Sequence, residues 1–367
     1  MQTIVKILFG LIVFGLSCLS PSASAQEKAA YFQKPTIAFS GFLDVYYGFD
    51  FNQPPDSHRP DFLFNHHRHN AVDINLGLLQ AHVDGGKYQA NLGLMVGTYP
   101  QQNLAHEPEW LRNIFAANVG IALIQDDRLW LDVGIFESHI GFESALSADN
   151  WTLTRSLVAE NSPYYLAGAK LTWNPSTQWQ LAALMVNGWQ RIQRVSGSTL
   201  PSFGTQTTYT FSENARLNWS TFIGTDDPDK TRRMRYFSNS YGQFQLTEKI
   251  GLIAGIDVGF QQTAKGRSDH DVWFGTVLIA RYAFSKTWAM AVRGEYYRDN
   301  TEVIVTTEQM EGFETAGFSA NIDYNAHKNV FCRLEIRWLK SSNAIFAKNT
   351  TMSHNNVLLI GSIALRF

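Results

Sequence analysis

Residues 357–367 read Val357-Leu358-Leu359-Ile360-Gly361-Ser362-Ile363-Ala364-Leu365-Arg366-Phe367, and the architecture unfolds from them. Successive side chains of a strand point to opposite sides. Val357, Leu359, Gly361, Ile363, Leu365 and Phe367 therefore share one face, while Ser362, Ala364 and Arg366 share the other. The segment before it repeats the split, with Cys332, Leu334, Ile336 and Trp338 alternating with Arg333, Glu335 and Arg337. Further upstream, Phe318, Ile322 and Tyr324 oppose Asn321 and Asp323. Trp288, Met290, Val292 and Tyr296 oppose Arg293 and Glu295, and Leu129, Leu131, Val133 and Ile135 oppose Asp132. Each strand is oily on one side and ionic on the other.

A soluble sandwich alternates in the same way, so the connections separate the two cases. Short turns are expected at 84–87, 125–128, 174–178, 212–215, 247–249, 285–287 and 325–329. Longer polar loops are expected at about 51–70, 98–113, 137–162, 191–204, 226–233, 262–271, 298–315 and 341–355. Seven short and eight long connections in strict alternation predict sixteen antiparallel strands, with fourteen or eighteen as the neighbouring counts. Lipid offers no partner for backbone amides, so a membrane-spanning sheet must close on itself. Strands of roughly ten residues, short turns on one side and long loops on the other predict an all-β transmembrane barrel of the bacterial outer membrane, turns toward the periplasm. Trp130, Trp173, Trp179 and Trp288, beside the short turns, are expected in an interfacial aromatic girdle.

Composition agrees with this reading. Among 367 residues, 45% are hydrophobic, 13% aromatic and only 17% charged, with mean hydropathy −0.17. Thirty bases against 32 acids exclude a basic nucleic-acid binder. Lys6, the apolar run Ile7–Leu16 and Ala23-Ser24-Ala25 predict a cleaved export signal over 1–25, followed by a short periplasmic lead over 26–35 and the barrel over 36–367. Cleavage would remove Lys6 and Cys18, leaving 29 bases against 32 acids, a charge of −3, and the single cysteine Cys332.

The mature chain resembles the OmpL-like β-barrel porins of Gram-negative outer membranes. The resemblance rests on Ser40-Gly41-Phe42-Leu43-Asp44-Val45-Tyr46-Tyr47, on the block from Gly141-Phe142-Glu143 through Asn150-Trp151 and Arg155-Ser156 to Ser162-Pro163-Tyr164-Tyr165, and on the terminal Phe367. It implies a water-filled channel for passive diffusion of small hydrophilic solutes, with no cofactor and no established substrate. By the same resemblance, Phe367 is a signal for the barrel assembly machinery, outer-membrane lipid and lipopolysaccharide are the surroundings, and a homotrimer is allowed. The alternative reading is a closed barrel acting as a surface receptor or adhesin through its loops.

The ionic faces would line the pore with Asp44, Asp73 and Asp132, then Lys170 and Asp257, then Arg281, Arg293, Glu295, Asp323, Arg333, Glu335 and Arg337. An acidic early wall facing an arginine-rich late wall would create a transverse field, unless the charges pair with one another. Loop 137–162 is the longest. In sixteen-strand porins the third loop narrows the channel, and the resemblance implies the same here, although nothing in the sequence fixes its direction. Glu137, Glu143, Asp149 and Glu160 against Arg155 would make such a constriction negative.

Other clusters carry weaker chemistry. His66-His67-Arg68-His69 has imidazoles suited to a metal, but reads better as a polar loop that gains charge in mild acid. Asp226-Asp227-Pro228-Asp229 lacks calcium-loop spacing, and Arg232, Arg233 and Arg235 form a basic patch at the same rim. Ser353-His354 and Asp269-His270-Asp271 do not complete a hydrolytic site, so no enzyme is expected.

Overall fold

The structure, a computed structural model, describes residues 34–307 and 310–367. The expected export signal and nearly all of the lead lie outside the described residues. Sixteen strands close an antiparallel barrel, each hydrogen-bonded to its neighbours in sequence, with the last returning to the first. They run β1 Thr36–Asp50, β2 Val72–Asp84, β3 Tyr88–Val96, β4 Ile114–Ala122, β5 Leu129–Glu137, β6 Tyr165–Trp173, β7 Trp179–Val186 and β8 Ser202–Ser212. The second half comprises β9 Ala215–Gly224, β10 Arg235–Gln245, β11 Ile250–Gln262, β12 His270–Ala283, β13 Trp288–Asp299, β14 Phe313–His327, β15 Val330–Ser341 and, after a small loop hairpin of β16 Phe346–Lys348 and β17 Thr351–Ser353, β18 Asn355–Arg366.

The alternation expected from sequence is the alternation found. On β15, Leu334, Ile336 and Trp338 are 48%, 49% and 42% exposed, whereas Arg333, Glu335 and Arg337 are buried inside. An apolar exterior around an ionic interior is the polarity of a barrel in lipid. The seam closes between β1 and β18, with Phe42 opposite Arg366. Beyond it, the Phe367 amide donates to the Gly41 carbonyl at 3.0 Å and the Gly41 amide to the Phe367 carbonyl at 2.9 Å. The Phe367 ring lies over Gly41, where a Cβ would stand 2.3 Å from it and push the ring aside.

Three expectations need correction. Trp173, Trp179 and Trp288 are exposed on the lipid face, but Trp130 shares parity with the inward Asp132 and points into the lumen. Its indole N–H donates to the Asp127 carbonyl at 2.8 Å. Strand β7 stops at Val186 instead of running to residue 190, because Trp189 turns inward onto Phe222 and Phe237, with ring centroids 5.0 and 4.8 Å away. The long loops are also less polar and more structured than expected, carrying helices α1 Thr98–Asn103 and α2 Leu157–Glu160 besides the β16–β17 hairpin. Among the described residues no helix is long and apolar enough to cross a membrane.

Ile336, midway along β15 on the lipid face, should not tolerate charge. Ile336→Arg is expected to lower the unfolding free energy by about 2–4 kcal/mol in phospholipid bilayers. Denaturant titration in vesicles measures this, and an unchanged midpoint would place Ile336 away from lipid.

Candidate functional site

The third long connection decides what the interior looks like. Gly134 on β5 and Gly168 on β6 face each other in register, with φ values of +134° and +158°. A Cβ at Gly134 would lie 2.2 Å from the Ala117 carbonyl oxygen, and one at Gly168 would lie 2.1 Å from that of Met185. Pairing of β5 with β4 ends at Ile135, and pairing of β6 with β7 ends at Gly168, yet β5 and β6 stay paired up to Glu137 and Tyr165. Above the two glycines the hairpin leaves the wall. Phe136 and Leu166 then sit in one apolar cluster, Tyr165 and Ala167 in another.

Loop 138–164, carried by this hairpin, runs along the inner wall and is largely buried. His139 Nε2 lies 2.9 Å from the Thr221 carbonyl, and the Gly141 amide donates to Asn239 Oδ1 at 3.2 Å. Trp151, Phe142 and Val158 lie over Gly251, Gly255 and Gly275, inward positions of β11 and β12 where a Cβ would approach them to 2.4, 3.1 and 2.5 Å. The loop then lands on β13–β15. The Thr154 amide and hydroxyl donate to the two oxygens of Glu335 at 2.7 and 2.6 Å, and Arg293 donates to the Thr154 carbonyl at 2.5 Å and to Thr152 Oγ1 at 2.9 Å. The Leu157 amide donates to Glu295 at 2.7 Å. Arg333 reaches the carbonyls of Ser147 and Asn150 at 2.5 and 3.1 Å.

The charges expected to line a pore are mostly engaged with one another. Arg293 pairs with Glu335 at 3.1 Å and Glu295 at 3.4 Å, Arg337 with Glu295 at 2.7 Å, and Arg333 with Asp323 at 2.7 Å. On β13–β15 these three arginines are balanced by three acids. Asp44 lies 3.1 Å from His66, Asp73 lies 3.6 Å from Arg68, and Asp257 accepts from Asn239 at 2.5 Å. Asp132 accepts from Gln89 at 2.7 Å, and Lys170 sits 5.0 Å over the Phe136 ring. Arg281 is half-buried on the inner face of β12.

The loop charges act as anchors more than as a negative rim. Glu143 accepts from the Ser156 amide and hydroxyl. Glu160 accepts from the Phe64 and Asn65 amides at 3.0 and 3.4 Å, tying the first long loop to the third. Arg155 donates to Tyr99 Oη at 2.8 Å and the Ala159 carbonyl at 2.7 Å, and Asp149 pairs with Arg366 at 2.6 Å. Glu137 is exposed at the end of the inturned β5.

The histidine cluster is not a polar surface loop. His66, His67 and His69 are buried and diverge. His66 Nε2 meets Asp44, His67 Nδ1 lies 3.2 Å from the Leu63 carbonyl, and His69 Nδ1 accepts from the Asp50 amide at 2.9 Å. Among the described residues no group of three or more His, Cys, Asp or Glu side chains is placed to hold a metal. The basic patch pairs with the aspartates beside it: Arg233 with Asp227 at 2.7 Å, Arg235 with Asp226 at 3.6 Å and Arg232 with Asp229 at 3.7 Å. Sequence reasoning missed Thr154, the role of Asn65, and Glu107, which accepts from the Ile192 amide at 2.7 Å and so ties the second long loop to the fourth. Only the glycines, equidistant from the loop or spaced by four on β11, signalled the inturned chain.

A closed barrel with an oily exterior, a hydrogen-bonded ionic interior and a loop carried inward defines an outer-membrane channel of the porin class. The chain belongs to the family described as Putative beta-barrel porin-2, OmpL-like, which matches residues 36–367. Solved structures share the fold. The anion-selective porin from Comamonas acidovorans superposes with a TM-score of 0.60 at 9% identity, covering 91% of this chain and all of that one. The outer membrane channel DcaP of Acinetobacter baumannii gives 0.58 at 10% identity, covering 95% and 100%. OmpT of Vibrio cholerae, in a trimer form, gives 0.59 at 7% identity, covering 91% and 99%. No curated protein matches the chain.

Two outcomes follow from the loop contacts. Burial, reinforced by the Arg59 guanidinium and His58, pushes the His67 imidazole down from 6.5 to about 4. An unfolded imidazole binds its proton first, so the stability of the first loop is complete above pH 6.5 and is lost as pH falls toward 4. In an NMR titration, His67 should stay neutral through pH 5–6; a midpoint near 6.5 would contradict its burial. Glu335→Ala removes the acceptor of the Thr154 amide and one of the two carboxylates beside Arg293, and should cost about 1–3 kcal/mol locally. Hydrogen exchange at the Thr154 amide reads this directly, as accelerated exchange.

Proposed function

We propose that this channel passes small hydrophilic solutes by passive diffusion, sieved by size and charge at a constriction formed by loop 138–164. The observation that carries this reading is the loop's passage through the barrel interior onto β13–β15, where the Thr154 and Leu157 amides meet Glu335 and Glu295. A loop held by buried ionic groups resists displacement by solute, which a sieve requires. Because the β13–β15 charges neutralise one another, charge filtering falls to Glu137, Asp132, Lys170 and Arg281, with Asp44, Asp73 and Asp257 contributing through their partners. In this reading Phe367, paired with Gly41 at the seam, is the signal for assembly, and the barrel sits in lipid and lipopolysaccharide, open to trimer formation.

A second reading has its own support. Phe62 of the first loop packs on Phe313 and Phe346, with centroids 4.8 and 6.2 Å away, so the extracellular loops meet in an apolar cluster. That cluster favours a closed barrel working through its surface as a receptor or adhesin.

Single-channel recording separates the two. Deleting residues 145–157 should raise conductance about twofold or more, since resistance concentrates where the pore is narrowest. A wild-type barrel without conductance would favour the receptor, and a deletion with wild-type conductance would remove the loop from the constriction.

A further inference from the structure

A pocket of 280 Å3 opens in the inner wall on the turn side of the third loop, and Gln89, Trp130, Asp132, Lys170, Thr172, Gln180 and Gln206 line it. Strand register builds it in two rows. One row runs Gln89, Gly120, Asp132 and Lys170; the other runs Ala122, Trp130, Thr172, Ala182 and Gln206. Gly120 deepens the wall between them: a Cβ there would stand 2.3 Å from Asp132 Oδ1 and 2.9 Å from Gln89 Cγ, so a larger residue would push both side chains aside.

The groups are held in place before any solute arrives. The Trp130 indole N–H is fixed on the Asp127 carbonyl, leaving the ring as a rigid platform. Gln206 donates to the His139 carbonyl at 3.1 Å, which sets the pocket directly beneath the stem of the third loop. Gln180 is exposed and points its amide to Asn174 Oδ1 at 3.3 Å. One carboxylate and one ammonium stand opposite each other in register, so the pocket carries no net charge.

We infer that this pocket is a saccharide subsite. An aromatic platform offers its face to the apolar C–H side of a pyranose ring, and neutral side-chain amides with a hydroxyl and a carboxylate offer donors and acceptors to its hydroxyls. With carboxylate and ammonium cancelling, neither a simple anion nor a simple cation gains net attraction, and the balance favours an uncharged polyhydroxylated solute. The inference deepens the channel reading and rests on it for its purpose, because a weak site just past the constriction would collect sugar emerging from it.

The probe is maltose, read in two ways. In bilayers, maltose added from the turn side should close the wild-type channel saturably, with an affinity on the order of millimolar. Saturation-transfer NMR on detergent-solubilised protein should give the same affinity without any need for conduction. Trp130→Ala is expected to weaken binding about tenfold, and Gln180→Ala about threefold, with KCl conductance kept in both. Maltose binding without KCl conductance would support the subsite while overturning the channel. Absence of saturable maltose binding to the wild type, unchanged affinity in both variants, or equal binding of L-serine would overturn the saccharide assignment.

Discussion

The interior of this barrel depends on a few buried backbone amides finding carboxylates. A loop that enters a lumen and presses against its wall leaves water behind, and each N–H it buries must be met. Glu335 and Glu295 meet those of Thr154 and Leu157, and Arg293 and Arg337 hold the two carboxylates in place. The wall's ionic groups thus act chiefly as a socket for polypeptide. Their worth as pairs is modest by itself, but the members share partners, so the loss of one unbalances a buried ionic group that also holds the loop.

The second requirement is room. A strand wall studded with side chains could not receive a loop bearing Trp151 and Phe142. On β11 the inward positions Gly251 and Gly255, and on β12 Gly275, remove side chains where the loop lands. Gly134 and Gly168 adopt backbone angles that L side chains rarely reach, and they turn the hairpin off the wall. Glycine acts here twice for different reasons, as a hinge and as a recess.

Strand faces were legible because lipid and lumen impose opposite chemistry at a period of two, and β15 states it in seven residues. Strand order followed from turn lengths, since neighbours in an up-and-down barrel are neighbours in sequence. The loops were not legible in this way. Their polarity looked solvent-facing, yet Asn65 and Thr154 are polar residues hydrogen-bonded inside the fold, and a count of charges cannot tell a hydrated carboxylate from one gripping an amide. Trp130 was misplaced for a related reason. Proximity to a turn suggests a membrane boundary, but parity with Asp132 outranks proximity, and the residue sits on the wet side.

The joint between Gly41 and Phe367 has a temporal meaning. The ladder that completes the cylinder unites the two extremes of the described chain, so no intermediate made from one end alone can shut. Until β18 meets β1, an edge of unpaired amides stays open, which lipid punishes and aqueous compartments tolerate. Closure of the cylinder is therefore committed late and all at once.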